Sequence, residues 1–586
     1  MCGIAGIMTR DGSAPDPKAI EQFRQSVHHR GPDGDGIHRS GNLAMIQTRL
    51  AIIDLETGDQ PLYEPRGAAL VANGEIYNYV ELRNELSDVE FSTRSDCEPP
   101  LHLYRRMGNR YTDALRGMYA IAIHDPVEDA LILSRDPFGI KPLYYVETAQ
   151  YFAFASQPVA LIDAGLIRAE LAPERRDELL QVQFTCGRET IYRGINRVLP
   201  GETLIVRNGR IVDRLRRSAL PDDGANTDKA GEPLTQLDQI LENSVEIHQR
   251  SDVPYGLFLS GGIDSSAILA LMSRLNDRPV RTFTVGFSGT KVHDEREHAR
   301  MLAQSVGADH VEVEFDEADF WSLLPRIAAD MDDPAADYAI LPTWKLAQTA
   351  AQDLKVVLCG EGGDELFAGY GRYRTLLRPW WLGGRAIRAR GIFDGLGVLR
   401  EESNRWRDGL TASEAMAEVD GRTRLQIAQA TDCADWLPND LLTKLDRCLM
   451  AHGLEGRTPF LDQHVAAFAY NLPDQVKIRE GKGKWLLRRW LNGVMPDAKP
   501  FERKRGFTVP VGEWINRQAD RLAPLVTAMP AIEEIAKPDA VMRLFATKNK
   551  RAGFAAWTLL FYALWHRRHM EGITAEGDVF DMLAHH

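Results

Sequence analysis

The stretch "LFLSGGIDSSAILALMSRL" (257–275) runs an apolar strand into Ser-Gly-Gly and then into an apolar helix. Strand, glycine turn and helix in that order predict one unit of a parallel α/β sheet. Backbone amides at such a helix start can bind an anion. Gly261 and Gly262 let the main chain approach oxygens closely, while Ser260, Ser265 and Ser266 add hydroxyl donors. Asp264 would not bind phosphate directly and makes sense as a ligand for a phosphate-bound Mg²⁺. A bare glycine pair is an ordinary turn, whereas the full SGGxDS pattern points to phosphate. It differs from GxxxxGK[ST], so a loop that transfers a γ-phosphate is not implied.

Downstream the alternation continues through "VRTFTVGF" (280–287), "HVEVEF" (310–315) and "LKVVLCGEGGDELFAG" (354–369), which predicts a parallel sheet. The second glycine loop carries Glu361 and Asp364, one to complete the metal site and one to act as a base. Glu365 reads instead as a solvated carboxylate favoured at a helix N-terminus. From about 370 the chain reads as mostly helical, as in "KWLLRRWL" (484–491) and "FAAWTLLFYALW" (554–565). "REGKGKWLLRRW" (479–490) sets Lys482 and Lys484 just ahead of an amphipathic helix, and Lys482 reads as a solvated turn residue.

Upstream, "PDDGANTDKAGEP" (221–233) has almost no apolar content and predicts a linker, 216–234, between domains 1–215 and 235–586. Residues 1–215 hold short β-rich runs such as "CGIAGIM", "AALVANGEIY", "YAIAIHD" and "YFAFAS", interrupted by helical patterns at 17–30 and 79–87 and a third after Asp96. That mixture predicts an α+β arrangement of packed sheets flanked by helices.

The 586 residues are 44% hydrophobic with a formal charge of −13, which fits a globular protein of two or more domains and argues against a nucleic-acid surface. Six scattered cysteines without CxxC pairs, no basic leader and no long apolar run predict a cytoplasmic protein that does not enter a membrane.

"MCGIAGI" (1–7) places Cys2 where removal of Met1 would give its thiol a neighbouring α-amino group to act as base. An amide substrate with an amino-acid head then needs a cation, an anion and oxyanion donors. Arg49, Asp96 and the Asn73/Gly74 pair can supply them.

The motifs MCGIAG, HRGPD, RLAIID, NGEIYN, SDCE and RDPFGIKPLYY, followed by SDVPYGLFLSGGIDSS, GEGGDELFAGY, LEGRTPFLD, GKGKWLLR and KRGFTVPV, resemble in this order the glutamine-dependent asparagine synthetases. The resemblance covers nearly the whole chain. It implies a class II glutamine amidotransferase domain with the N-terminal-nucleophile αββα fold, then an α/β ATP-pyrophosphatase domain with a helical C-terminal part. By position, Cys2 resembles the nucleophile, with the Asn73 side chain and Gly74 amide as oxyanion hole; Arg49, Leu50, Ala51, Ile52, Ile53, Asn73, Gly74, Glu75 and Asp96 resemble the glutamine pocket. Leu259, Ser260, Gly261, Gly262, Asp264, Ser265, Ser266, Val285, Cys359 and Gly360 resemble ATP contacts, and Asp264 and Asp364 the Mg²⁺-binding aspartates. Glu361 resembles the acid that positions substrate and deprotonates ammonia, and Lys484 the lysine that stabilises the phosphates.

The implied reaction consumes aspartate, ATP and glutamine through β-aspartyl-AMP and an ammonia tunnel, giving asparagine, AMP, pyrophosphate and glutamate; a homodimer stays open. Cys359 stands where many relatives have serine, so only a backbone contact there would carry over. "DDPAADYAILP" (332–342) follows one bacterial branch and leaves the acceptor pocket unread. The alternative is the same architecture amidating another carboxylate, a peptide or cell-surface precursor. Intact Cys2, Asp96, Asp264, Glu361, Asp364 and Lys484 weigh against a non-catalytic relative.

Overall fold

Alternation along the first strand sets the N-terminal architecture. In Gly3–Thr9, Ile4 and Met8 face one apolar cluster while Ala5 and Ile7 face another. A strand buried on both faces must lie inside a layered structure. The computed structural model, which describes residues 2–221, 232–290, 294–401, 405–502 and 509–585, shows those layers. Gly3–Thr9 pairs antiparallel with Leu43–Arg49 and Tyr151–Ala155 in a six-stranded sheet. A second six-stranded sheet is built around Ala69–Ile76, Gly117–Asp125 and Ala130–Arg135. Between the sheets, Ile4, Met45, Val71, Ala120, Leu133 and Phe154 form one core.

Helix Pro17–Val27 covers the outer face of the first sheet with Ile20, Phe23 and Val27; each such side chain contributes about 1.5–3 kcal/mol on burial. Helices Tyr79–Glu85 and Pro99–Met107 cover the second sheet with Leu82, Leu101, Leu103 and Tyr104. The order is αββα, as expected. Pro99 and Pro100 open their helix, where a fixed φ and a missing N–H are tolerated.

The second half forms a five-stranded parallel sheet in the order Asp309–Phe315, Arg281–Phe287, Tyr255–Phe258, Val356–Leu358, Glu455–Arg457. This is a doubly wound order, and its reversal between Tyr255–Phe258 and Val356–Leu358 opens a crevice at their carboxyl ends. The remainder is helical, ending in the 20-residue helix Lys550–His569, whose Trp557 and Trp565 indoles donate to the Ala336 and Met331 carbonyls at 2.7 and 3.0 Å. No described helix is long and apolar enough to cross a membrane. Most of the expected linker and most of the KRGFTVPV motif lie outside the described residues, as does Met1.

Buried ion pairs join the halves. Arg30 forks onto Asp446 with two bonds of 2.8 Å, and Arg116 holds Asp462 at 2.6 and 3.0 Å. The DDP run at 332–334 belongs to this interface: Asp333 accepts from Arg197 and Tyr144, and Asp332 from Arg447.

Candidate active sites

Cys2 sits at the head of the first strand and is buried, 8% exposed. Its nitrogen, a peptide nitrogen while Met1 is attached, donates to Asn73 Oδ1 at 3.0 Å. That bond turns the Asn73 amide so that Nδ2 remains buried with no hydrogen-bond partner, a donor available to an oxyanion. Gly74 follows on the same strand, where a Cβ would strike the Met118 carbonyl. Burial pushes the Cys2 thiol up from its ordinary value, partly offset by the Leu50 backbone. Arg30 Nε donates to the Cys2 carbonyl at 3.2 Å, so Cys2 is held from both sides.

Arg49 ends the strand Leu43–Arg49 and is nearly buried, with Nη1 on the exposed Asp59 at 2.7 Å and Nη2 on the Ile53 carbonyl at 3.3 Å. Leu50, Ile52 and Ile53 are buried beside it, and Ala51 N donates to Asp33. Asp96 Oδ2 accepts from Ile76 N at 2.8 Å, and burial raises its carboxyl to about 6. Glu75 pairs with Arg457 of the other half at 3.2 Å; burial nevertheless raises its carboxyl. Arg457 also binds Glu455 at 2.6 Å, so an ion-paired cluster adjoins the Cys2 site.

The second site is a cavity of about 280 Å³ at the crevice of the parallel sheet. Leu259, Ser260, Gly262, Asp264, Ser265, Val285, Cys359, Gly360, Glu361 and Asp364 line it. Gly261, in the left-handed region at φ +68°, completes the turn into helix Ile263–Leu275. Ser265 Oγ accepts from Ser260 N at 3.2 Å and tightens the loop, while the buried Ser266 hydroxyl has no partner. Lys484 caps helix Trp485–Val494 in the left-handed region, φ +55°, an uncommon conformation for a side-chain-bearing residue. It is 2% exposed, and its ammonium joins Asp364 at 2.7 Å and also Asp264. Desolvation opposes its charge, yet the two aspartates hold its value above the ordinary one.

Glu361 is half-buried at the cavity wall, and desolvation raises its carboxyl, with the Lys444 charge opposing. Glu365 departs from its expected solvated role. It is 1% exposed, lines the cavity and accepts from the Tyr370 hydroxyl at 2.7 Å, and burial raises it to about 7. The helix bearing it, Gly363–Leu366, is four residues long, and on the Glu365 side it is covered by Tyr370 and Gln429. Lys482 is only half-buried and donates to the Phe501 carbonyl at the loop's edge.

Sequence reasoning gave no role to Arg30, Arg457, Lys444 or Asp446. Arg30 and Arg457 stand inside quoted motifs, HRGPD and LEGRTPFLD, each beside a glycine, and that placement was the available signal.

A chain that joins an amide-opening nucleophile domain to an ATP-binding α/β domain is a two-site, ATP-using amidotransferase. A glutamine amidotransferase domain model matches residues 1–216 and an asparagine synthase model residues 236–567. The chain is 31% identical to asparagine synthetase [glutamine-hydrolyzing] 1 of Bacillus subtilis, across 97% of both proteins. It is 32% identical, at the same coverage, to a putative asparagine synthetase of Mycobacterium tuberculosis. Asparagine synthetase B of Escherichia coli is 30% identical over 88% of this chain and 84% of its own length. The chain belongs to the glutamine-hydrolysing asparagine synthetase family and is a glutamine-dependent, ATP-using ligase.

Proposed function

We propose that this enzyme makes asparagine from aspartate, with 1–215 as glutaminase, 216–234 as linker and 235–586 as synthetase, in the cytoplasm. Once Met1 is removed, the Cys2 amine serves as base for its thiol, which attacks the glutamine amide carbon. Asn73 Nδ2 and the Gly74 amide stabilise the oxyanion, Arg49 takes the substrate carboxylate in place of Asp59, and Asp96 takes its ammonium, with Leu50–Ile53 and Glu75 shaping the pocket. Ammonia leaves, and water hydrolyses the thioester to glutamate.

At the second site the loop 259–266, Val285, Cys359 and Gly360 bind ATP. The aspartate β-carboxylate attacks the α-phosphorus, pyrophosphate leaves, and Lys484 offsets its charge. Ammonia then displaces AMP from β-aspartyl-AMP while Glu361, its carboxyl raised by burial, removes a proton. Asp264 and Asp364 converge on one cation, and their oxygens suit Mg²⁺, which would neutralise phosphate charge when bound with ATP.

The observation that carries this reading is the cavity, which brings both glycine loops against the aspartates that hold Lys484. Pyrophosphate release by purified enzyme with ATP and aspartate, using glutamine or ammonium as donor, tests it. Release only with a different carboxylate would overturn the aspartate assignment.

A further inference from the structure

Away from both sites, the segment 366–393 carries six arginines and neither a lysine nor an acidic residue, in a chain whose formal charge is −13. Arg372 and Arg388 turn inward onto Asp432, at 2.8 and 2.7 Å. Arg378, Arg385 and Arg390 are exposed, and no carboxylate among the described residues pairs with them. Between these arginines the chain is apolar. Trp380, Trp381 and Leu382 are 80%, 68% and 64% exposed, and Leu377 beside them is exposed as well. Single exposed apolar side chains are ordinary, whereas three in succession, two of them tryptophan, mark an interaction surface.

The two arms of the segment are anchored and its tip is not. Tyr373 and Ile387, one on each arm, pack with Ala368, Leu425 and Ala428, and Arg407 donates to the Ile387 carbonyl at 2.8 Å. At the tip the Pro379 carbonyl accepts from Leu382 N at 2.9 Å and Gly384 N at 3.0 Å, and the Trp380 carbonyl from Gly383 N at 3.1 Å. Gly383 adopts the left-handed region at φ +81°, and a Cβ on Gly384 would strike the Arg378 carbonyl, so the turn closes tightly. A turn that satisfies its own backbone groups can enter an apolar medium.

Tryptophans this exposed lie in no groove of their own; they project, as a plug rather than a socket. A projecting indole with an apolar body and one N–H suits the headgroup level of a bilayer, and guanidinium groups around it suit phosphate. On a chain of net negative charge, an all-cationic rim is also the one part of this segment's surroundings complementary to an anionic surface.

We propose that residues 377–390 dock the enzyme peripherally on a bilayer rich in anionic phospholipid. Trp380, Trp381 and Leu382 enter the boundary between headgroups and acyl chains, while Arg378, Arg385 and Arg390 meet the phosphates.

The test floats the purified full-length enzyme with vesicles of phosphatidylcholine alone, or of phosphatidylcholine and phosphatidylglycerol in equal parts. Wild type should float with the anionic vesicles and not with the neutral ones, and added salt should release it. Arg378→Ser with Arg385→Ser should weaken the partition by about fivefold per arginine removed. Trp380→Ser with Trp381→Ser should weaken it by about tenfold or more. Both double variants, and Trp380→Ser alone, should melt with the wild type and release pyrophosphate in solution at its rate. Tryptophan emission should shift to shorter wavelength on adding anionic vesicles, and Trp380→Ser with Trp381→Ser should abolish that shift. Wild type that anionic vesicles leave unfloated overturns the proposal. So does flotation that the tryptophan or arginine variants retain in full, or equal flotation on neutral vesicles. A wild type that ignores vesicles but sediments as a larger species than the tryptophan variant would assign the tip to a second copy of this chain, and likewise overturns lipid docking.

Discussion

The smallest unit of the proposed glutaminase site is the bond from the Cys2 nitrogen to Asn73 Oδ1, which at once positions that nitrogen and leaves Asn73 Nδ2 without a partner. Cys2→Ala should abolish glutamine-dependent synthesis and leave ammonium-dependent synthesis near wild type, read as asparagine formed with each donor. Loss of both in a folded variant would contradict separate sites. Asp264→Ala, at the other site, should abolish synthesis with either donor. Asp96 brings a pH dependence. Burial raises its carboxyl to about 6, and only the anion can hold the glutamine ammonium. Glutaminase kcat/KM should therefore fall roughly tenfold per pH unit below about 6, a limb that Asp96→Asn removes while raising the KM at neutral pH. The same shift works against folding: the protonated form is favoured in the native state, so this group's contribution declines as pH rises from the ordinary carboxylate range through about 6.

At the scale of elements, the sequence showed what is local. The strand, SGGIDSS turn and helix at 257–275 are contiguous, so their geometry follows from periodicity and glycine placement. The run CGIAGIM was legible as a strand for the same reason, while the burial of both its faces came from the packing of the two sheets. Glu365 was misread because its burial comes from Tyr370 and from Gln429, 64 residues away, whose amide donates to the Glu365 carbonyl. The Lys444–Asp337 pair escaped notice because its partners stand 107 residues apart, with a π-helix between them. Packing between loops also sets a sharp constraint at Gly369, where an added Cβ would overlap the Asp364 carboxylate and the Lys484 side chain. Gly369→Ala should lower synthesis with either donor by about 10²-fold, since a shift near 1 Å suffices for that, while glutaminase activity persists. Near-normal ammonium-dependent synthesis would show that Lys484 need not sit between the aspartates.

For the whole molecule, the informative feature is a chain of contacts that crosses the two halves. The Cys2 carbonyl is held by Arg30, Arg30 is forked onto Asp446, and Asp446 shares helix Leu442–Met450 with Lys444, which lines the synthetase cavity. Arg30 is 0% exposed, so removing its partner leaves a guanidinium buried without full compensation, a loss of about 3–5 kcal/mol. Asp446→Ala should thus melt several degrees lower than wild type, whereas pairing it with Arg30→Met should recover much of the loss, because no uncompensated charge then remains. Arg30 and Arg447 hold the Asp446 carboxyl well below its ordinary value against the opposing effect of burial. Its stabilising contribution is accordingly complete above the ordinary carboxylate range, near about 3.9, and is lost as pH falls toward the lowered value. Function should divide the same way. A slackened Arg30 no longer fixes the Cys2 carbonyl, so Asp446→Ala should cut glutamine-dependent synthesis more than ammonium-dependent synthesis when both are assayed well below the melting temperature. An equal loss with the two donors would mean that the pair supports the fold alone and carries no restraint to the nucleophile.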